Sequence, residues 1–325
     1  MRHRLIGIVT LATGLWAMSA LHAEPPMLSF KPAGDGWAAF DTGVVRGKLQ
    51  ADGKSQGMPT VVDVTTGTEL AYGGGNPGLL SFYRLFSSGK RWGDMQRGDT
   101  FRGWPQTVRV LPDGAAQIHW PGHTDHPVEM TATFRWISPT TLDLETVVKP
   151  QVDMPAFEVF LSSYFNDRFR NFVYVAPPRH GGGKPCLMVP QGSPLVSGTY
   201  LAFPRDLRAA QMIYDGRWEQ GHNPVHWSVT RFLAGPLAMM RDAKSDITFV
   251  QMSRPQDCFA VEMPYYLDPP DGVAGHHSIY MSLFGGDLKT GQTAKAVVRM
   301  VVDRGITDEK ALELYNAFVA QTKDG

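Results

Sequence analysis

The stretch VEMTATFRWISPTTLDLETVV, residues 128–148, decides the fold class because its apolar and polar residues alternate one by one. Every second residue from Val128 to Trp136 is apolar, and the residues between them are charged or threonine. This period of two is typical of a β-strand that buries one face and exposes the other. The alternation resumes from Leu142 to Val148 after the turn sequence SPT. We therefore predict a β-hairpin here.

Shorter strand-like segments, separated by turn signals, recur along the chain. They lie at residues 44–49, 60–64, 107–111, 247–252, 278–284 and 294–302. Near the C-terminus a helix is predicted, with Thr307 as its N-cap and Leu312, Tyr315 and Val319 on one face. Many strands and one convincing helix indicate an all-β fold, a large sandwich with a short C-terminal helix at its edge. We expect a single domain over residues 24–325.

The first 23 residues have the pattern of a secretory signal peptide. Arg2 and Arg4 precede an apolar run, Leu5 to Ala20, and Ala23 supplies a small residue at the expected cut. The alternative is a retained membrane anchor. No other long apolar run follows, so we expect no membrane association after cleavage and a periplasmic or extracellular location.

Charge and cysteine content exclude some partners. Once Arg2 and Arg4 leave with the signal peptide, 29 of the 31 basic residues remain against 31 acidic residues, without a basic cluster. A nucleic-acid partner is therefore not expected. Export would place Cys186 and Cys258 in an oxidising compartment, and we predict that they lie close enough to form a disulfide. Two buried free thiols are the alternative. No cofactor or metal is expected, since two cysteines do not make a metal framework.

Three segments resemble the galactose mutarotase-like (aldose 1-epimerase) superfamily. They are LSSYFN at residues 161–166, VEMP at 261–264 and SIYMSLFGGDLKTGQTAKAVVRMVV at 278–302. The resemblance extends over residues 128–302 and implies a β-supersandwich with a sugar groove. In this family a histidine acts as the acid within Asn-His-Ser-Tyr-Phe-Asn, and the matching position here is Ser162. A hydroxyl group does not titrate near neutral pH. The chain thus resembles a divergent, secreted member that lacks the usual catalytic histidine.

The resemblance makes Glu262 the candidate base. The alternative for this residue, which lies in an apolar run, is a solvated strand position. His276 and His277 immediately precede a predicted strand, and either could replace the missing acid; the alternative for both is a structural role. His226 is a candidate for proton transfer in a lyase-like reaction with Tyr164. Because His222 and His226 flank Pro224 and have no evident third ligand, a zinc pair is not favoured.

Residues for sugar binding are expected on the same face. Tyr164 and Asn166 alternate along one predicted strand, and Arg84 carries a planar donor fork that suits carboxylates or vicinal hydroxyls. Trp218 and His222 belong to the dense polar and aromatic segment DGRWEQGHNPVHW, residues 215–227. The alternatives are a surface ion pair for Arg84 and a covering of the core edge for the tryptophan.

Together with the signal-peptide pattern, the resemblance implies a secreted or periplasmic carbohydrate-binding and carbohydrate-active protein. Its ligand is expected to be a mono- or oligosaccharide, and its chemistry that of an epimerase-like isomerase with an altered acid. Two alternatives remain, a noncatalytic sugar-binding protein and a polysaccharide lyase-like enzyme. A histidine facing Glu262 across a cleft would favour an enzyme, because acid and base must flank one sugar ring.

Overall fold

The computed structural model describes residues 28–73, 75–93, 101–178, 182–193, 196, 198, 200–221, 223–267 and 275–321. The predicted signal peptide and His222 therefore lie outside the described residues. Strands dominate the described chain, as the alternation in the sequence predicts, and the all-β fold class is confirmed.

The first ten strands are β1 (Lys31–Pro32), β2 (Trp37–Asp41), β3 (Val45–Gln50), β4 (Gly57–Asp63), β5 (Ser81–Ser87), β6 (Lys90–Arg91), β7 (Thr107–Val110), β8 (Ala116–Trp120), β9 (Val128–Ser138) and β10 (Thr141–Pro150). The later strands are β11 (Met154–Tyr164), β12 (Arg170–Val175), β13 (Cys186–Met188), β14 (Tyr200–Pro204), β15 (Trp227–Val229), β16 (Leu233–Arg241), β17 (Ile247–Ser253), β18 (Cys258–Pro264), β19 (Ser278–Leu288) and β20 (Ala294–Arg304). The helices are α1 (Leu207–Ile213), α2 (Asp308–Gln321) and a 3-10 turn at Phe101–Gly103.

These strands form three sheets. A four-stranded sheet has the order β1-β2-β3-β4, and a nine-stranded sheet the order β13-β12-β16-β17-β20-β10-β9-β8-β7. A seven-stranded sheet has the order β15-β14-β18-β19-β11-β5-β6. Strands β14 and β15 pair in parallel. The pairs β14–β18, β18–β19, β19–β11 and β11–β5 are antiparallel.

The predicted hairpin is present as β9 and β10. Leu142 pairs with Trp136 and Leu144 pairs with Phe134, so the apolar residues of both strands share one face. That face is buried, and the polar residues between them are largely half-buried on the other face. The period of two in the sequence thus marks strands that have a single core-facing side.

The main hydrophobic core lies between the nine-stranded and seven-stranded sheets. One cluster of buried side chains unites Val298 and Met300 of β20 with Val159 and Leu161 of β11. It also contains Leu49 of β3, so the four-stranded sheet contributes to the same core.

The seven-stranded sheet is covered on its second face as well. Ala209, Met212 and Ile213 of α1 belong, with Ala202 of β14 and Ala260 of β18, to a separate aromatic-rich cluster. All seven residues of β18 are buried as a result. A strand with two buried faces carries no alternation, which is why this part of the sequence reads as a continuous apolar run.

Helix α2 begins where the sequence predicts, since the Thr307 hydroxyl accepts a hydrogen bond from the Lys310 amide at 3.2 Å. Tyr315 and Phe318 pack on Val250 and Met252 of β17. The helix therefore covers the outer face of the nine-stranded sheet, and the expectation that it packs at a sandwich edge is wrong. Within the described residues, none of the helices combines the length and apolar character that crossing a bilayer requires.

The predicted disulfide is also wrong. Cys186 is an exposed free thiol on β13, at one end of the nine-stranded sheet. Cys258 is a buried free thiol on β18 in the seven-stranded sheet. The two sulfur atoms belong to different sheets and environments, which sequence separation alone does not reveal.

Candidate functional site

One row of residues crosses the second face of the seven-stranded sheet. Glu262 pairs with Tyr280, which pairs with Ser162, which pairs in turn with Ser81. Directly paired residues point to the same side of a sheet. Ser162 and Glu262 therefore share a face, two strands or about 10 Å apart. These are the positions that the family resemblance assigns to the acid and the base.

A cavity of about 510 Å³ opens on this face. Its walls are rich in aromatic rings, among them Tyr83, Phe160, Tyr164, Trp218, Trp227 and Tyr280. Residues 223–225 close one side, since Asn223, Pro224 and Val225 also line the cavity. The cavity brings together three of the predicted binding residues, Arg84, Tyr164 and Trp218.

The aromatic walls are built by mutual contact between rings. Phe160 stacks on Tyr280 at 5.2 Å between centroids, and Trp218 meets Trp227 edge to face at 5.1 Å. Tyr200 packs 5.4 Å from Trp227. Offset and edge-to-face contacts of this kind fix ring positions. The walls are thus preformed, as is typical of small-molecule sites.

Two arginines line the cavity beside one tyrosine. The guanidinium carbons of Arg84 and Arg102 lie 4.6 Å and 4.5 Å from the centroid of the Tyr83 ring. Arg84 donates to the backbone oxygen of Asn223 at 2.7 Å and to the Tyr83 hydroxyl at 3.3 Å. It is almost fully buried, so it is not a surface residue.

The Arg102 side chain is fixed from below by serines. Its Nε donates to Ser81 Oγ at 3.0 Å, and an Nη atom donates to Ser162 Oγ at 3.1 Å. Ser162 Oγ in turn donates to the backbone oxygen of Ser81. Ser162 is fully buried and supports Arg102 through this hydrogen bond.

Burial and charge inside the cavity shift several pKa values. Burial opposes ionisation of Tyr83, but Arg84 and Arg102 outweigh it and lower the pKa of this phenol below its usual value of 10.0. Burial lowers the pKa of Arg102, an effect that Tyr164 and Tyr83 partly offset. Burial also lowers the pKa of His276, and the neighbouring His277 and Lys54 lower it further. The cavity thus holds an acidified tyrosine next to cationic groups.

Glu262 lies in the floor and does not line the cavity. Its carboxyl oxygen is 2.8 Å from Ser282 Oγ, which is also 2.7 Å from Glu158. Glu158 forms a fully buried ion pair with Arg217 at 2.7 Å. Burial raises the pKa of Glu262 well above its usual value, and the nearby Glu158 raises it further. In the described part of the chain no histidine contacts Glu262.

The other predicted residues are placed elsewhere. Asn166 follows the end of β11 and accepts a hydrogen bond from Arg168 at 3.2 Å, because the chain has left the strand before the alternation reaches it. His226 is exposed and lines a smaller cavity of about 210 Å³ beyond Trp218. His277 contacts the backbone oxygen of Phe169 at 2.6 Å, so His276 faces the main cavity in its place.

No sequence pattern marks Arg102, because it belongs to no predicted strand and lies in a 3-10 turn. Tyr83 lies in β5 and Tyr280 in β19. Only the pairing of these strands with β11, which carries Tyr164, shows that both tyrosines face the cavity. His276 precedes His277 immediately, and alternation alone does not decide which of them faces inward. Among the described residues, no group of three or more histidine, cysteine or acidic side chains is arranged to hold a metal ion.

Neither a family model nor a curated protein matches the sequence. Among solved structures, a candidate aldose 1-epimerase from Escherichia coli K12 is 12% identical, with 83% of this chain and 100% of that chain covered and a TM-score of 0.48. An aldose epimerase homologue from C. elegans is 10% identical over 80% and 96%, with a TM-score of 0.45. A galactose 1-epimerase from Lactobacillus acidophilus is 10% identical over 83% and 94%, with a TM-score of 0.44. All three are weak structural likenesses.

Proposed function

We propose that the protein binds a saccharide in the aromatic cavity on the seven-stranded sheet. The observation that carries this proposal is the combination of preformed aromatic walls with inward-facing arginine and tyrosine donors in one cavity of about 510 Å³. Aromatic faces pack against the apolar faces of sugar rings, and planar polar groups bind their hydroxyls. The resemblance of residues 161–166 and 261–264 to the mutarotase superfamily agrees with a sugar ligand.

The usual mutarotase chemistry does not fit this cavity. The acid position is Ser162, buried beneath Arg102, and the base position, Glu262, is hydrogen-bonded to Ser282 in the floor. An acid and a base must both reach the reacting sugar ring. We therefore favour binding over isomerisation by this pair, and expect that the purified protein does not accelerate mutarotation of glucose or galactose in polarimetry.

Titration of the mature protein with mono- and oligosaccharides, followed by calorimetry and tryptophan fluorescence, tests the binding proposal. Trp227→Leu removes one aromatic wall and should weaken binding by about tenfold, since ring stacking contributes on the order of 1 kcal/mol or more. Trp37→Leu, on β2 of the four-stranded sheet, is the matched control and should leave the affinity unchanged. Absence of binding to any saccharide would refute the proposal.

One observation favours a second candidate, a lyase-type elimination. Tyr83, whose pKa is lowered, lies in the cavity beside Arg84 and Arg102. Its phenolate is suited to take the proton from a carbon next to a sugar carboxylate. The electron pair then forms a C=C bond, the glycosidic C–O bond breaks, and the leaving oxygen takes a proton from water. Ultraviolet absorbance of the conjugated product, lost in Tyr83→Phe, is the measurement that checks this.

We also propose that the protein is exported and cleaved near Ala23. The basic start, the apolar run and the small residue at the cut support this. Mass spectrometry of the protein from fractionated cells should find a mature chain that begins near Glu24 in the periplasm or medium. An intact N-terminus retained in the membrane fraction would contradict the proposal.

A further inference from the structure

Arg102 is a buried cation whose described hydrogen-bond acceptors carry no full charge. Only 9% of the residue is exposed, and Ser81 and Ser162 hold its guanidinium through neutral hydroxyl groups. Within the residues that the structure describes, no carboxylate forms an ion pair with it. Burying a charge without a counter-charge is costly.

Arg217 shows how the same chain treats another buried arginine. Its fully buried guanidinium contacts Glu158 at 2.7 Å and Asp215 at 2.7 Å, so two carboxylates compensate its charge. The difference between Arg217 and Arg102 is that only Arg102 lines the cavity. Its uncompensated charge therefore faces a space that a ligand can occupy.

Other charges at the cavity have the same sign. Arg84 and Lys54 line it, and among the described lining residues there is no aspartate or glutamate. The guanidinium carbons of Arg84 and Arg102 both lie within 4.6 Å of the Tyr83 ring centroid. One sugar-sized ligand can therefore contact both guanidinium groups. Cations focused in an aromatic cleft attract an anion and disfavour a cation.

We propose that the ligand of this cavity is an acidic saccharide whose carboxylate lies against Arg102 and whose ring lies among the aromatic walls. A guanidinium presents paired N–H donors in a plane, a geometry that matches a carboxylate. The proposal rests on the proposed function, since it names the class of saccharide that the same cavity takes.

The test compares matched pairs of sugars on the wild-type protein. Calorimetric titrations use glucuronate against glucose and galacturonate against galactose, as single sugars and as short oligosaccharides. The acidic partner of at least one pair should bind about tenfold or more tightly, as expected for a charge-assisted hydrogen bond, and its affinity should fall with added salt. Equal affinities for the two sugars of each pair would refute the preference for acidic saccharides but would still support saccharide binding. No binding of any sugar would overturn both.

Variants locate the carboxylate. Arg102→Met keeps an apolar stem and should reduce the affinity for the acidic sugar to that for its neutral partner. Arg102→Lys, which keeps the charge and loses the planar fork, should retain part of the preference. Arg135→Met is the matched control, because this half-buried arginine of β9 pairs with Asp113 at 2.8 Å, away from the cavity. A preference that survives Arg102→Met would overturn the assignment.

Thermal unfolding and titration with a sugar phosphate provide two further tests. The thermal midpoint of ligand-free Arg102→Met should equal or exceed that of the wild type, because the substitution removes an uncompensated buried charge. A lower midpoint would show that the charge is already compensated within the protein and would count against the proposal. Titration with glucose 6-phosphate tests which anionic group the cavity prefers. Tighter binding of this phosphate than of any uronate would refute the proposal that Arg102 binds a carboxylate.

Discussion

Glu262 and Glu158 share one hydroxyl group, that of Ser282, and a hydroxyl has a single proton to donate. One of the two carboxyls must therefore carry a proton of its own and donate it to Ser282. Glu158 has Arg217 as a counter-ion, whereas Glu262 has no described cation. We infer that Glu262 is the protonated member, which explains how an acid is accommodated in a strand that is buried on both faces.

This protonation predicts the pH dependence of stability. Near pH 4.5, the usual pKa of a glutamate, the unfolded chain begins to release the Glu262 proton while the folded chain retains it. The unfolded state then binds fewer protons, so the free energy of unfolding falls as pH rises toward the folded-state pKa. Glu262→Gln cannot titrate and should make this decline less steep in urea titrations across that range. An unchanged slope would contradict the inference, and Glu313→Gln, at an exposed helical position, is the control.

The pair between Arg217 and Glu158 leads to a second prediction at this scale. Arg217→Met leaves Glu158 buried without its cation and should lower the free energy of unfolding by about 3–5 kcal/mol. The exposed pair between Arg208 and Asp287 offers the control, since Arg208→Met should change stability by less than about 1 kcal/mol. Equal effects of the two substitutions in denaturant unfolding would show that burial does not govern the Arg217 pair.

Strands differ in how far their sequences reveal them. The strands β9 and β10 expose one face, so their alternation predicts both the hairpin and its buried side. The strands β18 and β19 are covered on both faces along most of their length, and their sequences carry no such alternation. The cavity lies on this second covered face. Its lining residues were therefore the least predictable part of the chain, whereas the all-β class followed directly.

The side-chain direction of a residue in a turn, or just after a strand, cannot be predicted from sequence periodicity. Arg102 reaches the cavity from a short turn, where no periodicity assigns a side-chain direction. Asn166 departs from the face of Tyr164 because β11 ends between them. Arg84, Tyr164 and Trp218 were identified by residue type and by resemblance, and they do line one cavity.

Helix α2 provides a prediction for an element. Phe318 is almost fully buried against the outer face of the nine-stranded sheet, whereas the cavity opens on the far face of the seven-stranded sheet. Phe318→Ala should lower the free energy of unfolding by about 3–5 kcal/mol and leave saccharide affinity unchanged. The exposed Asn316→Ala should affect neither quantity. A loss of affinity in folded Phe318→Ala would indicate coupling between the two outer faces.

At the scale of the whole molecule, one shared core supports two unlike outer faces. The nine-stranded sheet is capped by α2 through apolar side chains, and the seven-stranded sheet carries aromatic rings and arginines around a cavity. Site residues on a rigid, doubly covered sheet are held more precisely than residues on loops. This arrangement suits a site in which a fixed arginine and fixed aromatic walls recognise a ligand with little rearrangement.

The placement of the two cysteines in different sheets determines how the molecule responds to reduction. A disulfide between Cys186 and Cys258 would close a long loop and stabilise the fold by about 4 kcal/mol. Both thiols are free, one exposed and one buried, so reductant should leave the thermal midpoint unchanged. Burial raises the pKa of the Cys258 thiol well above its usual value, which also suppresses its reactive thiolate. Alkylation should therefore modify Cys186 alone in the native protein and both residues after denaturation, as read by mass spectrometry. A midpoint that falls by several degrees with reductant, or a denatured chain that takes up no label, would show that the thiols pair after all.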